Sequence, residues 1–385
     1  MTAAGLAACV ADTGAGGYNQ AVGLNMAPGA TRAGPAPGTE APGHRVSILV
    51  PLTGPNAEVG QALLRAAQLS LDQPGGPPLD ARDTGGTPAG AAQAARAAVA
   101  GGAGIILGPL TAPETGAVAS IAREAGIPVL AFTSDVGQAQ PGVWTMGVTP
   151  SQQVRRLVLA VQAEGKVRLA AVVPQNAFGD ALATGVAASA GEAGLPPPRI
   201  LRYASSPPGL SGSLKELSGG TAPPDPSTPP PVDTLLLGAA GQQLGQAAPL
   251  LSGYGLGPTR IRVLGPALWA REAPQLGALA GAWYAAPDPA RRVPFEQAYA
   301  AKYGTPPREL ASLAYDAAGV ARAVVDRIGY SAATLTRPQG FAGADGLFAL
   351  QPDGQVRRGL AIFEIDQAGS HVVQPAPGSL TAPAS

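Results

Sequence analysis

From Arg45 onward the chain alternates short apolar runs with amphipathic stretches, and this rhythm restricts the fold more than any other feature. Short apolar runs separated by helical periodicity are the pattern of a parallel sheet with crossover helices. Arg45–Val50 (RVSILV) reads as the first strand, and 60–72 as the first helix, with Leu64, Ala67 and Leu71 on one face. Leu79–Asp83 is a second strand, after which Thr87 and Pro88 open a helix as cap and first-turn proline. A third strand at 104–108 (GIILG) precedes Thr111-Ala112-Pro113-Glu114, a capping-box spacing, and 127–131 (IPVLA) is a fourth. Four βα units between residues 45 and 131 predict a doubly wound sheet.

After an extended stretch at 143–147, Thr149-Pro150-Ser151-Gln152 begins another helix with another capping box. A second series follows, with strands at 169–173, 232–237 and 261–264 and helices at 181–190 and 242–252. The segment 219–231 (GGTAPPDPSTPPP) is too proline-rich for regular structure. Two helices are expected at 294–303 and 308–328, the latter with Leu310, Leu313, Ala317, Val320, Val324 and Ile328 as its buried stripe. The stretch 345–366 reads as a hairpin with Gly354 in its turn, and 375–385 as a loose tail.

The first 43 residues have a different texture. Val10 to Gly43 is Gly, Ala, Pro, Thr and Asn without periodicity, which cannot bury enough apolar surface to offset its ordering entropy. As a coil, residues 10–43 would span roughly 30 Å on average, and fully extended about 110 Å. Cys9 is the one cysteine, and Leu6-Ala7-Ala8-Cys9 is similar to a bacterial lipobox, in which the cysteine sulfur takes a lipid. Residues 1–9 then read as the remnant of an export signal. Too few residues precede Leu6 for the usual basic and apolar segments, so the true start is expected upstream. Charge is balanced at 25 acidic and 25 basic residues, and aromatic content is 4%, which argues against nucleic acid as partner. No apolar run approaches the roughly 20 residues of a membrane helix, so membrane contact is expected only through the lipid.

These elements in this order resemble type I periplasmic binding proteins of the leucine-binding group, from about Arg45 to Val373. The resemblance rests on Pro51-Leu52-Thr53-Gly54-Pro55, Leu107-Gly108-Pro109-Leu110, Phe178-Gly179, Tyr303-Gly304 and Ala314-Tyr315-Asp316. The closing stretch from Gly340-Phe341-Ala342-Gly343 to Phe363-Glu364-Ile365 adds to it. It implies an α/β fold of two doubly wound parallel-sheet lobes joined by three hinge crossings. The expected divisions are 44–147 plus 284–340 for lobe one and 148–283 plus 341–374 for lobe two. Within that group, Arg82-Asp83-Thr84-Gly85-Gly86-Thr87-Pro88 and Ile127-Pro128-Val129-Leu130-Ala131-Phe132 look like the penicillin-binding protein activator lipoproteins. That likeness implies a periplasmic protein, lipid-anchored at the outer membrane, which docks on a peptidoglycan synthase and stimulates it. The best-known activators carry a helical repeat domain before the receptor-like domain, where this chain has the expected tether of residues 10–43.

Catalysis finds no support in the sequence. Only His44 and His371 are histidines, and no nucleophile elbow, S-x-x-K, H-E-x-x-H or P-loop is present. No metal site or cofactor is expected. In doubly wound sheets the ligand crevice lies beyond the carboxyl ends of the strands. That selects Thr53, Asn56, Thr111, Ala112, Thr133, Ser134 and Asp135 in lobe one, where hydroxyls and helix-start N–H groups suit a carboxylate. Thr111 reads equally as a helix cap, and Thr53 and Asn56 as turn residues. In lobe two, Phe178 and Trp269 either line the cleft or pack. The resemblance assigns the other lobe-two loops to 238–241 and 265–268, where amino-acid receptors place Tyr and Glu and this chain has Ala. An amino-acid clamp is therefore expected to be degraded, which favours a protein partner over a small polar solute taken up through an ABC importer.

Overall fold

The computed structural model describes residues 44–73, 76–205, 209–220 and 227–380. Cys9 and the expected tether, 10–43, lie outside the described residues. The chain from residue 44 forms the two-lobed α/β fold implied by its rhythm. In lobe one, β1 (Arg45–Val50), α1 (Ala57–Leu71), β2 (Leu79–Asp83), α2 (Pro88–Ala100), β3 (Ala103–Leu107), α3 (Ala112–Glu124), β4 (Val129–Ala131) and β5 (Val143–Thr145) follow one another. Among the described residues their strands make a five-stranded parallel sheet of order β2-β1-β3-β4-β5.

Lobe two continues with α4 (Pro150–Ala163), β6 (Leu169–Pro174), α5 (Ala177–Glu192), β7 (Arg199–Tyr203), α6 (Gly209–Ser218), β8 (Thr234–Leu237), α7 (Gln242–Gly253), β9 (Arg262–Gly265), α8 (Trp269–Glu272) and β10 (Trp283–Ala286). The chain then runs through α9 (Pro289–Tyr303), α10 (Ala311–Ile328) and α11 (Ala332–Leu335). It ends in β11 (Phe341–Gly343), β12 (Gly346–Leu350), β13 (Val356–Arg358), β14 (Ala361–Asp366) and β15 (Gly369–Gln374). The second sheet has the order β15-β14-β10-β9-β8-β6-β7, with only β14 and β15 antiparallel to their neighbours.

Both sheets are covered on both faces, which is why their central strands, such as β1, β3, β6 and β8, are nearly continuous apolar runs. In lobe one, Val46, Ile48 and Val50 pack on α1 and α10, while Leu49, Ile106 and Val129 pack on α2 and α3. In lobe two, Val172, Leu235 and Val263 face α6 and α7, while Val173, Leu236 and Leu264 face α4 and α5. Helix starts follow the sequence closely. Thr87, Thr111 and Thr149 each accept a backbone N–H as caps, and the last two complete capping boxes with Glu114 and Gln152.

Several expectations change. The helix expected from 294 starts a turn earlier, because Asp288 caps it with Pro289 in the first position, so Pro294 lies inside. Strand β7 and helix α6 are additional to the sequence reading; the exposed and half-buried pattern of RILRY on a sheet edge gives no clean period. Within α10, Leu313, Ala317, Val320 and Val324 are buried as expected, but Leu310 stands outside the helix and is 42% exposed. The Ile328 side chain lies outside the described part.

The hairpin expected over 345–366 is divided. Strands β12 and β13 pair across a turn closed by Gly354, while β14 leaves to join β10 and β15. Phe341, Phe348, Leu350 and Val356 share the core of lobe one, and β10 lies within the lobe-two sheet. The expected divides at 283/284 and 340/341 thus fall one strand and one small sheet too early, because the hydrophobic faces choose the lobe. Ala376 in the expected loose tail is buried against the lobe-two core.

The chain's crossings are tied together by a buried ionic cluster. Arg358 at the end of β13 donates from Nη2 to the Met146 carbonyl (2.7 Å) and from Nη1 to Asp316 Oδ2 (3.4 Å), with both side chains fully buried. Asp316 also accepts from the Ala344 N–H at 2.6 Å. Beside it, Asp345 accepts from Arg292 at 2.5 and 2.8 Å and from the Ser312 hydroxyl at 2.8 Å.

Candidate functional site

The carboxyl ends of β1, β3 and β4 stand side by side in the lobe-one sheet, so the loops after them form a row along one edge. Thr53 and Asn56 follow β1, Thr111 and Ala112 follow β3, and Thr133, Ser134 and Asp135 follow β4. All seven lobe-one residues selected from the sequence are therefore brought to one edge. Their chemistry is another matter.

Thr53 is exposed, but its hydroxyl donates to Asp83 Oδ2 at 2.6 Å. Its N–H and that of Leu52 donate to Asp83 Oδ1 at 3.2 and 2.7 Å, and Gly85 N–H adds a fourth bond at 2.8 Å. Desolvation pushes the Asp83 carboxyl up, but the Thr53 hydroxyl and the three N–H groups outweigh it and hold it below the usual carboxylate range. Gly85 and Gly86 turn with φ +57° and +69°, a left-handed bend that brings the Gly85 N–H back onto the carboxylate. The chain's own acid thus occupies donors that would suit a ligand carboxylate.

The same holds after β3. Glu114 is fully buried and accepts from Thr84 Oγ1 (2.5 Å), Thr111 Oγ1 (2.6 Å) and Thr111 N–H (3.0 Å). Thr111 is a cap and a clamp on Glu114, and Ala112 is the first residue of the helix it starts. After β4, the Thr133 hydroxyl accepts from Asp135 N–H at 3.1 Å, and Asp135 Oδ1 accepts from Gly137 N–H at 2.9 Å. Ser134 is exposed, and a Cβ on Gly147 would lie 2.8 Å from its Cα, so the first crossing is pressed against this loop. Asn56 begins α1 without a side-chain capping bond.

In lobe two the two aromatic candidates separate. Phe178 is half-buried against the α4/α5 side of the core. Trp269 is fully buried, and its Nε1 donates to the Ala239 carbonyl at 2.8 Å. A Cβ on Gly265 would sit 2.2 Å from its ring, so β9 can lie on the indole only because that position is glycine. Trp269 therefore packs and does not line a cleft.

Three acids at these strand ends were absent from the sequence selection: Asp83, Glu114 and Glu272. Glu272 of α8 accepts from the Gly241 N–H with both oxygens, at 2.9 and 3.0 Å. The Asp83-Thr84-Gly85 run carries the signal of an Asx turn, whereas Glu272 lies 31 residues from its partner and no local pattern reveals it. Arg271, next to it, pairs with Glu309 ahead of α10, joining the two lobes through an exposed ion pair. Among the described residues no group of three or more His, Cys, Asp or Glu is placed to hold a metal, and no helix is long and apolar enough to cross a membrane.

Substituting Asp83 by Ala is expected to lower stability by about 1–2 kcal/mol, in the range for charged hydrogen bonds reduced by water's access to the site. The folded carboxyl titrates below the unfolded value of 3.8, so the contribution is complete above pH 4 and fades as pH falls through the folded value. Chemical denaturation at pH 7 and pH 3 checks this: the wild-type advantage over Asp83→Ala must shrink at the lower pH.

The family described as periplasmic binding protein matches residues 44–370. No curated protein resembles the chain closely enough to match. Among solved structures, a Rhodospirillum rubrum protein described as a branched-chain amino acid ABC transporter is 21% identical, covers 86% of this chain and 99% of its own, and superposes with a TM-score of 0.70. The C-domain of LpoA from Haemophilus influenzae, described as a regulator of PBP1A, is 16% identical over 86% of this chain and 99% of its own, with a TM-score of 0.65. A Rhodopseudomonas palustris solute-binding protein in complex with benzoate is 20% identical over 88% of this chain and 99% of its own, with a TM-score of 0.54. At these identities the likeness is one of fold. The family match spans both lobes and the strand ends between them, and on that ground the chain belongs to the periplasmic binding protein family.

Proposed function

We propose that this protein is a non-enzymatic regulator of peptidoglycan synthesis that docks on a penicillin-binding protein and raises its activity. The observation that carries this reading is the self-occupied cleft edge. Donors at the strand ends are held by the chain's own Asp83, Glu114 and Glu272, so a ligand carboxylate would have to displace an internal one. The fold likeness to the LpoA C-domain supports the same reading. At the rim, Leu268 and Leu310 are 48% and 42% exposed in the same two segments that the Arg271–Glu309 pair joins, which suits a protein surface. By this proposal the protein works in the periplasm, and lipidation at Cys9 holds it at the outer membrane.

Capture from envelope extracts with the full chain as bait should recover a peptidoglycan synthase, and added protein should raise its transpeptidase rate. Failure of both sinks the proposal. The alternative is a solute-binding protein of an ABC importer, favoured by the open Asn56 and Ser134 side chains and by the fold likeness to the R. rubrum protein. A receptor would gain about 2.7 kcal/mol at a ligand concentration a hundredfold above Kd. A thermal-shift screen of amino acids, amides and small carboxylates separates the two readings.

A further inference from the structure

A cavity of the described structure lies away from the strand ends, on the face where the chain passes between lobes. It has a volume of about 1060 Å³ and is walled by α4, the β12–β13 turn, the end of α5 and the segment after β15. Hydrogen bonds tie its lining in place, and the one from Gln152 to Val356 crosses between the lobes. Trp144 Nε1 donates to the Gln351 carbonyl (2.7 Å), Gln152 Nε2 to the Val356 carbonyl (2.5 Å) and Arg156 Nε to the Leu360 carbonyl (2.9 Å).

Three guanidinium groups line it besides the buried Arg358: Arg155, Arg156 and Arg357. Against them stand two carboxylates. Glu192 takes a two-pronged bond from Arg155, at 2.7 and 2.5 Å, and Asp353 accepts from the backbone and side chain of Gln355. Arg156 differs from the others: it is half-buried and, among the described residues, faces no carboxylate. Burial lowers its affinity for the proton, the mark of a charge drawn from water with a carbonyl but no carboxylate beside it. A guanidinium fork is shaped for a carboxylate, and Leu159, Val373, Pro375 and Pro377 add an apolar wall beside it. The volume is near the upper end of ligand pockets, ~1,000 Å³.

We infer that this cavity is a second binding site, distinct from the strand-end cleft, for a small organic acid whose carboxylate pairs with Arg156 and whose apolar body lies against Leu159 and the Val373–Pro377 wall. Occupancy would bridge α4 of lobe two and the β12–β13 turn packed on lobe one, so binding would also stiffen the crossing. The site does not depend on the docking function proposed above.

The test is calorimetric titration of the full chain with hexanoate, with 1-hexanol and inorganic phosphate as comparisons at matched ionic strength. Saturable hexanoate binding, absent for hexanol and weaker for phosphate, is expected. In Arg156→Gln the affinity should fall about fivefold to tenfold, the loss of one charged bidentate pair. Leu159→Glu, which places an internal carboxylate beside Arg156, should abolish binding, and it keeps the test valid if Arg156→Gln folds poorly. Hexanoate that does not saturate, binding left unchanged by both variants, or phosphate binding as tightly as hexanoate would each overturn the assignment.

Discussion

Replacing Arg358 by methionine is expected to lower the unfolding free energy by about 3–5 kcal/mol, the usual cost of removing one partner from a buried ion pair. The side chain is fully buried, bridges the Met146 carbonyl to Asp316, and stacks its guanidinium 5.0 Å from the Phe348 ring. Its loss strands a carboxylate and a carbonyl in the core at once. The pair is already imperfect: among the described residues Arg358 Nε has no hydrogen-bond partner, and the contact to Asp316 is long at 3.4 Å. Converting both residues to apolar ones, Arg358→Met with Asp316→Leu, should therefore recover part of the loss, the Met146 carbonyl and Ala344 N–H being left without these partners. Urea denaturation of the three proteins decides it; a single-variant loss below about 1 kcal/mol would show that the cluster is not the tie described here.

Asp316 gives this cluster a pH signature. Burial pushes its carboxyl up to about 7, and the Arg358 charge opposes this without cancelling it. Because the folded value lies above the unfolded 3.8, the folded state binds the extra proton between them. Stability from this group is complete below pH 4 and is lost as pH rises towards 7, opposite in sign to the effect of Asp83. Asp316→Asn should remove that slope. The stability difference between wild type and Asp316→Asn, followed from pH 4 to pH 7, must favour the wild type more at the acid end.

The second large effect is expected at Trp269. Truncation to alanine should cost about 3–5 kcal/mol, since a fully buried indole leaves a cavity and orphans the Ala239 carbonyl. Trp269→Phe should cost less, keeping most of the volume while losing the hydrogen bond, about 1–2 kcal/mol. Gly265→Ala should also destabilise, because the added methyl meets the ring at 2.2 Å with both elements held in the core. Were Trp269 a cleft wall, truncation would change stability by less than about 0.5 kcal/mol and alter only ligand binding. Thermal unfolding of the three variants separates the two roles.

What was legible in the sequence follows from how local each signal is. Caps are decided within four residues, so Thr87, Thr111 and Thr149 announced three helix starts that the structure keeps. Parallel strands buried on both faces are apolar throughout, which made β1, β3, β6 and β8 readable as runs. The edge strand β7 escaped for the opposite reason, being buried on neither face consistently. The row of candidate loops after β1, β3 and β4 was likewise readable, because a doubly wound sheet puts strand ends on one edge whatever the side chains are.

The state of those loops was not. Whether the Thr53 hydroxyl faces a ligand or Asp83, 30 residues away, depends on which strand lies beside β1. Glu272 on Gly241, Trp269 under Gly265 and Arg156 beside its cavity are decided the same way, by neighbours distant in the chain or by packing that closes around them. The sequence alone determined the βα rhythm, the two lobes and the edge on which a cleft must form, since period and capping act over a few residues. Only the tertiary structure decided which donors remain open and which lobe receives β10 and β11–β13, since hydrogen bonds and hydrophobic faces are satisfied by whatever the fold brings near.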